Sequence, residues 1–337
     1  MLPVVTPGQD RRPTLADVAT VAGVAPSTVS RAFSRPQRVN HRTREHVLAV
    51  AAHLGYVPNP TAQALESGRT RRIALLVPDI TNPYFSGVIK GAERAAVDAG
   101  LTLVLGDTAE NASTEAELIH RLERAVDGFV ISASRLTDDQ LRAAAERIPI
   151  ALVNRATAGL SCVVADFDAG TQQIVDHLAS YGHRSLVFVG GPAESWSGAR
   201  RWQGLQAAAG NREMEARRFG PYLPTLAGGS TAADAVVTSG ATVVVCHNDM
   251  LAIGMMRRLA ERGMSVPGDV SVVGFDNIFG ADFCHPALTT LAERTEDAGA
   301  RAVEQVVHQV PSRQVEGPIR VLSTHLVVRA STGPATR

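Results

Sequence analysis

Polar residues follow apolar, strand-like runs at several points in the second part of the chain. An Asn comes directly after 150–153, and an Asp directly after 270–275. In sheets of parallel strands, ligands bind outside the carboxyl ends of the strands, where such side chains converge. The pattern predicts a site for a small polar molecule, although each residue taken alone also fits a helix cap. The residues are Asp79, Asn82, Asn154, Arg155, Asn248, Asp249, Asp276 and Asn277.

The residue pattern gives little support to catalysis. The sequence contains no GxSxG nucleophile motif, no Walker A phosphate loop and no HExxH zinc motif. His247 and Asp249 lie near one predicted strand end, but no motif places a nucleophile beside them, so we interpret His247 as structural. Cys162, Cys246 and Cys284 lack metal-ligand spacing and favour buried thiols in a reducing compartment. We therefore expect no enzyme activity, no metal and no cofactor.

The N-terminal part contains the start and stop signals of two short helices joined by a tight turn. Thr14 followed by Asp17 resembles a capping box. Gly23 can supply the positive φ of the turn, and Pro26 suits the first turn of the second helix. These signals predict a helix-turn-helix. The alternative is a small three-helix bundle without a role in DNA binding.

The second of these helices has an apolar and a polar face. Val29 and Phe33 are expected to face inward. Ser27, Thr28 and Arg31 project outward, as a helix that lies in the major groove of DNA requires.

A third helix and a short hinge segment follow. The helix is predicted over about 42–54, with Asn40 as its N-cap. The segment 56–65 is too short to form a stable helix alone. Small residues such as Ala62 would let two copies approach closely, and Leu65 could insert between base pairs from the minor groove. We expect this segment to fold on DNA beside a second copy; the alternative is that Leu65 is a core leucine at a domain edge.

Positive charge is concentrated at the N-terminal end. Residues 1–72 contain ten arginines against four acidic residues, whereas the remainder contains 23 basic and 29 acidic residues. A basic head on an acidic body favours a module that binds nucleic-acid phosphates. No run approaches 18 apolar residues and no signal-peptide core is present, so we expect a cytoplasmic protein that does not enter a membrane.

Beyond residue 72 the chain alternates between apolar runs and helical patterns. Continuous apolar strands indicate sheets covered on both faces, and alternation with helices indicates parallel pairing. We predict an α/β fold in which an all-α head precedes two parallel, doubly wound units with a ligand cleft between them. The predicted strands lie at 73–77, 101–105, 128–131, 150–153, 186–189, 242–246 and 270–275.

The chain resembles the LacI/GalR family of transcriptional regulators from about 15 to 331. Specific motifs are Asp-Val-Ala at 17–19, Ala-Gly-Val at 22–24, Thr-Val-Ser-Arg at 28–31, Thr-Arg at 43–44, Leu-Gly-Tyr at 54–56 with Pro-Asn at 58–59, and Leu65. The resemblance implies that positions 26, 27 and 31 read bases and that Leu65 intercalates. Family members often have Ser where this chain has Ala25, and Pro26 cannot read a base by hydrogen bonding. The implied DNA-binding residues are Thr14, Pro26, Ser27, Thr28, Arg31, Asn40, Arg44, Tyr56, Asn59, Ala62 and Leu65.

The same resemblance implies a periplasmic-binding-protein-like body with an effector site. Asn154, Arg201 and Asp276 match ligand-binding positions, and Tyr84 and Phe85 match residues that stack on or wall the ligand. The loop at 195–197 contacts ligand, with Trp196 either stacking on a sugar or base or covering the cleft. The segment 212–230 fits the family poorly, which would change one pocket wall. The implied effector-binding residues are Asp79, Tyr84, Phe85, Asn154, Ser195, Trp196, Ser197, Arg201, Asn248, Asp249 and Asp276.

The expected organisation has a DNA-binding head at 1–58, a hinge at 59–71 and an effector-binding and dimerisation body at 72–331. By resemblance, the first subdomain is about 72–160 plus 292–320, and the second is about 161–291 plus 321–331. The family's longer tetramerising tail is absent, so we expect a homodimer on a pseudo-palindromic site in double-stranded operator DNA.

We predict a transcriptional regulator, and specifically a repressor, whose operator affinity is set by a sugar-like or nucleobase-like small molecule. One alternative is the same regulator controlled by a protein partner or acting as an activator. A second is a solute-binding protein, which shares the fold of the body but has no use for residues 14–65.

Overall fold

The computed structural model describes residues 13–57, 68–312 and 317–335. The chain divides into two compact units, a head that ends at Arg71 and a body that begins at Arg72. The expected hinge at 59–71 falls largely outside the described residues, so its boundaries stay a prediction.

Three helices form the head, and the predicted helix-turn-helix is confirmed. At the start of the first helix, the Asp17 N–H donates to Thr14 Oγ1 over 3.4 Å and the Thr14 N–H donates to Asp17 Oδ2 over 2.7 Å, which completes the capping box. Gly23 ends this helix with a φ of 65°, a left-handed conformation that favours glycine. The helices are α1 (Leu15–Ala22), α2 (Pro26–Ser34) and α3 (His41–Leu54), with a 3-10 turn at Pro36–Arg38.

A small apolar core holds these helices together. Val18, Val29 and Val47 are fully buried, one from each helix. The rings of Phe33 and Tyr56 close the core with their centroids 5.8 Å apart. Because helices of this length are marginal alone, their packing supplies the stability of the head and fixes which face of α2 remains outside.

Two sheets of six strands form the body, and the predicted α/β fold is confirmed. In chain order the strands are β1 (Arg72–Val77), β2 (Thr102–Asp107), β3 (Gly128–Ser132), β4 (Ile150–Val153), β5 (Ser161–Ala165), β6 (Ser185–Val189), β7 (Glu215–Phe219), β8 (Val243–Cys246), β9 (Ser271–Asp276), β10 (Thr289–Ala292), β11 (Ile319–Leu322) and β12 (His325–Val327). The first sheet has the order β11-β5-β4-β3-β1-β2, and the second has the order β12-β10-β9-β8-β6-β7. All pairs are parallel except β10 with β12.

Helices cover both faces of each sheet, which explains why the central strands are apolar throughout. The helices are α4 (Tyr84–Asp98), α5 (Ala112–Leu122), α6 (Asp138–Ala145), α7 (Phe167–Ser180), α8 (Trp196–Gly210), α9 (Leu226–Ser239), α10 (Asp249–Glu261) and α11 (Thr295–Ser312). On the first sheet α4 and α11 share one apolar core and α5 and α6 the other. On the second sheet α9 and α10 share one core and α7 and α8 the other. Within the described part of the chain, no helix is long and apolar enough to cross a membrane.

Helices α4 and α11 touch at the level of their backbones. A Cβ added at Gly91 would lie 1.9 Å from the Glu296 carbonyl oxygen, and one added at Gly299 would lie 2.1 Å from that of Val88. The absence of side chains at these two positions therefore permits the close crossing. The crossing holds the segment before α11 beside Tyr84, the first residue of α4.

The sheet topology differs from the approximate expected subdomain bounds at one strand, β5. β5 was assigned to the second subdomain, but it pairs with β4 and β11 in the first sheet. β10 ends at Ala292 in the second sheet, and β11 extends to Leu322 in the first. The chain therefore passes between the sheets after 165, 292 and 322. Strand partners are chosen by long-range backbone hydrogen bonds, which local sequence patterns do not reveal.

Candidate functional site

The outer face of α2 carries the side chains predicted to read DNA. Pro26, Ser27 and Arg31 are exposed, and Thr28 is partly buried. Ser27 and Arg31 are four residues apart, so they lie on the same side of the helix. The forked guanidinium donors suit guanine in the major groove, and a hydroxyl can donate or accept. The head thus presents a polar helix of the kind that enters the major groove.

Four other residues of the implied DNA-binding set have structural positions in the head. Thr14 caps α1, and Asn40 caps α3 by accepting a hydrogen bond of 3.0 Å from the Arg42 N–H. Tyr56 packs on the head core, and burial raises the pKa of its hydroxyl. Arg44 is partly buried in α3, and its buried Nε has no hydrogen-bond partner among the described residues. The remaining three residues, Asn59, Ala62 and Leu65, lie outside the described residues.

A pocket that is open to solvent lies at the carboxyl ends of strands from both sheets. It brings together eight of the eleven residues implied for the effector site: Tyr84, Phe85, Asn154, Ser195, Ser197, Arg201, Asn248 and Asp276. The other lining residues are Asn82, Glu110, Ala133, Arg135, Pro224 and His247. Polar groups from both halves of the body therefore face one space, as a cleft between two doubly wound units requires.

Four lining residues hold their backbones in the left-handed region. The φ angles are 57° at Glu110, 48° at Ala133, 56° at Asn154 and 106° at Asp276. For residues other than glycine, such conformations cost on the order of 1–3 kcal/mol each and cluster at binding sites. The packed body must hold them in place, so the pocket walls are organised before any ligand arrives.

Arg201 is the centre of a buried charge network on the second-sheet side of the pocket. Its Nη2 donates to Asp276 Oδ1 over 2.9 Å and to Glu293 Oε1 over 2.8 Å. Its Nη1 donates to the His247 carbonyl oxygen over 2.6 Å, and the guanidinium lies 4.6 Å from the ring centroid of Phe275. Burial lowers the pKa of Arg201, but the carboxylates of Asp276 and Glu293 outweigh it and leave the pKa raised. The guanidinium is therefore fixed in position and stays charged.

Glu293 connects this network to the first subdomain. It lies between β10 and α11, and its Oε2 accepts a hydrogen bond of 3.0 Å from the Tyr84 hydroxyl. The same carboxylate contacts Arg201, so one side chain links α4 to α8 across the cleft. Burial, followed by the charge of Glu293, raises the pKa of the Tyr84 hydroxyl, which keeps it a donor. Burial also raises the pKa of Asp276 well above its usual value, with Arg201 opposing the shift.

Three residues of the implied effector set do not line this pocket. Asp79 lies in the turn after β1, where its carboxylate accepts hydrogen bonds from Thr81. Trp196 is partly buried against the second-sheet core. Asp249 is completely buried and accepts a hydrogen bond of 2.6 Å from the Thr290 hydroxyl. Asp249 thus links α10 to β10.

The segment 212–230, which fits the family poorly, contributes to one wall of the pocket. It forms β7 on the edge of the second sheet and then leads into α9. Pro224 lines the pocket, and its carbonyl oxygen accepts a hydrogen bond of 3.2 Å from Asn248 Nδ2. This side of the pocket is therefore closed by backbone that Asn248 holds in place.

The sequence reasoning missed Glu110, Arg135 and Glu293, and it interpreted His247 as structural. Arg135 follows β3, and its Nε donates to Glu110 Oε2 over 2.9 Å, so these two form a paired charge on the first-sheet wall. Charged residues just beyond the β3 and β10 strands would have been the available signal. For Glu293 that signal was hidden because β10 was not predicted.

Comparisons with known proteins agree with this architecture. Residues 14–59 match the family of bacterial regulatory proteins of the lacI family, and residues 175–332 match the periplasmic binding protein-like domain. The HTH-type transcriptional repressor CytR of Escherichia coli K12 is 31% identical over 96% of this chain and 97% of its own length.

Solved structures agree as well. A lac repressor dimer bound to operator and the anti-inducer ONPF superposes with a TM-score of 0.84 and 26% identity, covering 96% of this chain and 100% of that chain. A complex of the transcriptional regulator CelR with cellobiose gives a TM-score of 0.70 and 29% identity, covering 95% and 100%.

The helix-turn-helix head and the cleft of the body define the class of protein, a ligand-responsive DNA-binding regulator. The chain belongs to the lacI family of bacterial transcriptional regulators.

Proposed function

We propose that this regulator represses transcription from operator DNA as a homodimer, and that a small polar molecule in the cleft sets its DNA affinity. CytR and the lac repressor are repressors, and the lac repressor structure is a dimer on operator with a small molecule bound. A regulator of this kind works beside the chromosome, so we place it in the cytoplasm.

One observation carries the small-molecule part of the proposal. Asn154 Oδ1 and Arg201 Nε are buried and have no hydrogen-bond partner among the described residues. Both residues line one pocket: Asn154 follows β4 of the first sheet, and Arg201 lies in α8, which packs on the second sheet. Leaving a buried polar atom unpaired costs about 1–3 kcal/mol, so such atoms favour a site that a polar ligand completes. A ligand that pairs with both would favour one arrangement of the two subdomains over another.

The charges of the pocket support a neutral, hydroxyl-rich effector. Arg201 already pairs with Asp276 and Glu293, and Arg135 pairs with Glu110. A strongly anionic or cationic ligand would therefore add an unbalanced charge to a buried site. The relative CelR carries cellobiose, a neutral sugar.

On the DNA side, we propose that α2 reads bases and that the hinge segment inserts Leu65 into the minor groove. Arg31 is an exposed cation of α2, with Ser27 one turn before it. Two heads related by a two-fold axis would read two half-sites of a pseudo-palindrome.

The test begins with a duplex selected from a randomised pool by the purified full chain. Arg31→Ala should lower the preference for this duplex over random DNA by about 1–3 kcal/mol, the scale of one good base contact. Arg121→Ala removes the same charge from an exposed position on α5 and is the matched control, with no effect expected. Fluorescence anisotropy measures both affinities at fixed salt.

Neutral sugars and nucleosides are then titrated into the complex of protein and selected duplex. An effector should shift DNA affinity by about 1–3 kcal/mol, the usual range of coupling between two sites. If no duplex is enriched, the DNA-binding role fails. If DNA binds but no small molecule changes its affinity, control by a partner protein replaces the effector.

A further inference from the structure

We infer that His247 is a specificity-determining residue that reads a neutral hydroxyl or amide group of the effector. The inference rests on the proposed small-molecule site and adds a residue that the family motifs and the strand-end pattern do not assign. His247 directly follows β8 and lines the pocket beside Asn248 and Arg201.

The backbone of His247 is fixed on both sides. Its N–H donates to the Val189 carbonyl oxygen over 2.8 Å, which ties it to the end of β6. Its own carbonyl oxygen accepts the hydrogen bond of 2.6 Å from Arg201 Nη1. The imidazole therefore projects from a point held by two strands and by the central cation of the site.

Two glycines make the space that the ring occupies. A Cβ added at Gly191 would lie 2.5 Å from His247 Cδ2, and one added at Gly198 would lie 3.0 Å from Cε1. Gly191 belongs to the loop after β6 and Gly198 to the first turn of α8, so backbone from two elements lies against the imidazole. A ring that only fills volume would not require glycine at both positions. A ring that must keep one orientation toward a ligand is held in that orientation by the close backbone of Gly191 and Gly198.

Neither ring nitrogen of His247 has a hydrogen-bond partner among the residues that the structure describes, and Nδ1 is fully buried. The other buried histidine of the body behaves differently. Both ring nitrogens of His183 are engaged, Nδ1 with Thr242 Oγ1 at 3.0 Å and Nε2 with the Gly333 carbonyl oxygen at 3.2 Å. His183 is thus paired at both ring nitrogens, while His247 in the pocket is not.

The surroundings of His247 keep its ring neutral. Burial lowers its pKa well below the usual value, and the charges of Arg201, Arg135 and Arg218 lower it further. A neutral imidazole has one N–H donor and one bare nitrogen acceptor. It can therefore pair with a hydroxyl, or with one edge of a ring amide, without bringing a second charge into the pocket.

The experiment uses the full chain and a fixed panel of probes. The neutral probes are D-ribose, D-glucose, cellobiose, adenosine and uridine, and the anionic probes are ribose 5-phosphate, glucose 6-phosphate, AMP and UMP. Isothermal titration measures each dissociation constant for wild type, His247→Ala and His247→Gln. His325→Ala, which removes an exposed histidine from β12, is the matched control.

For the neutral probe that binds wild type, His247→Ala should weaken binding about tenfold or more. His247→Gln keeps one donor and one acceptor and should recover most of that loss, and His325→Ala should leave affinity unchanged. The deoxy analogue that lacks the paired hydroxyl should bind wild type and His247→Ala equally. A purely structural role for His247 would not produce this coupling between residue and hydroxyl.

Each remaining outcome overturns the inference in a different way. If the neutral probe binds wild type and a well-folded His247→Ala variant equally, His247 does not read the effector, and the proposed function stands. If only phosphorylated probes bind, the neutral class is wrong. If no probe binds wild type, the inference fails together with the small-molecule part of the proposed function.

Discussion

Arg201 has two features that a single substitution removes together. It pairs with two buried carboxylates, and it lines the pocket with a buried Nε that has no hydrogen-bond partner among the described residues. Removing one partner of a buried ion pair leaves an uncompensated charge, whereas the same change at an exposed pair has little effect. The neighbouring Arg200 forms such an exposed pair with Asp168.

Arg201→Ala should destabilise the body by about 3–5 kcal/mol, because Asp276 and Glu293 then share a buried site without a cation. Urea unfolding followed by circular dichroism measures the change. Arg200→Ala is the control and should alter the free energy of unfolding by about 1 kcal/mol or less. Equal stability of the two variants would show that the network around Arg201 is not buried as described.

The residues of the pocket differ in how far the sequence could predict them. Asn154 and Asp276 directly follow apolar runs, so a local pattern was sufficient to find them. Glu293 contacts residues 92 and 209 positions away in the chain, and no local pattern predicts such contacts. His247 was found but interpreted as structural, because its lack of partners is visible only in three dimensions. Asp79 and Asp249 were included from their positions at strand ends, yet Asp79 bonds within its own turn, and Asp249 accepts hydrogen bonds from Ile278 and Thr290 elsewhere in the second subdomain.

At the scale of elements, the crossing of α4 and α11 determines where the cleft residues lie. The two helices meet at Gly91 and Gly299 without intervening side chains. Tyr84 begins α4, and Glu293 precedes α11, so the distance between the helices sets the distance between these two groups.

Gly91→Ala should destabilise the body by about 1–3 kcal/mol, since its Cβ would overlap the Glu296 carbonyl and force the helices apart. Gly210→Ala is the matched control: it lies in α8 with no atom within 4 Å of the added Cβ. That change should be neutral or stabilise by up to about 1 kcal/mol, because alanine favours helix. Thermal and urea unfolding compare the two, and a stable Gly91→Ala variant would contradict the close crossing.

The seven predicted strands are all present, but five strands were not anticipated. β10, β11 and β12 are three or four residues long, and each lies near a passage between the sheets. β7 has three charged residues among its five, because it is an edge strand with little burial. Periodicity identifies strands that are buried on both faces, and it is weak for short or peripheral ones.

At the scale of the whole molecule, the second subdomain exposes an aromatic pair. Phe279 and Phe283 are 82% and 63% exposed, with ring centroids 4.7 Å apart. Exposed aromatic residues in contact with each other are typical of surfaces that bind another protein. For a chain proposed to act as a homodimer, they are candidates for the contact between its copies.

Phe279→Asp should weaken the homodimer by about 2–4 kcal/mol, because a charge would enter an apolar contact. Sedimentation velocity over a range of concentrations measures the dissociation constant. Val97→Asp, at another exposed apolar position on α4, is the control and should leave association unchanged. If Phe279→Asp dimerises like the wild type, the contact lies elsewhere on the body.

The carboxylate of Glu293 acts on Arg201 as a competitor that the protein itself supplies. Because it is tethered a few residues from α11, its local concentration is far higher than that of any metabolite. An effector that binds the same guanidinium must displace the Glu293 carboxylate, or it must bind the N–H donors of Arg201 that Glu293 does not occupy. Substituting Glu293 would therefore shift the effector concentration at which the regulator changes its DNA affinity. Position 293 thus allows the sensitivity to the effector to be adjusted without a change in the DNA sequence that the head recognises.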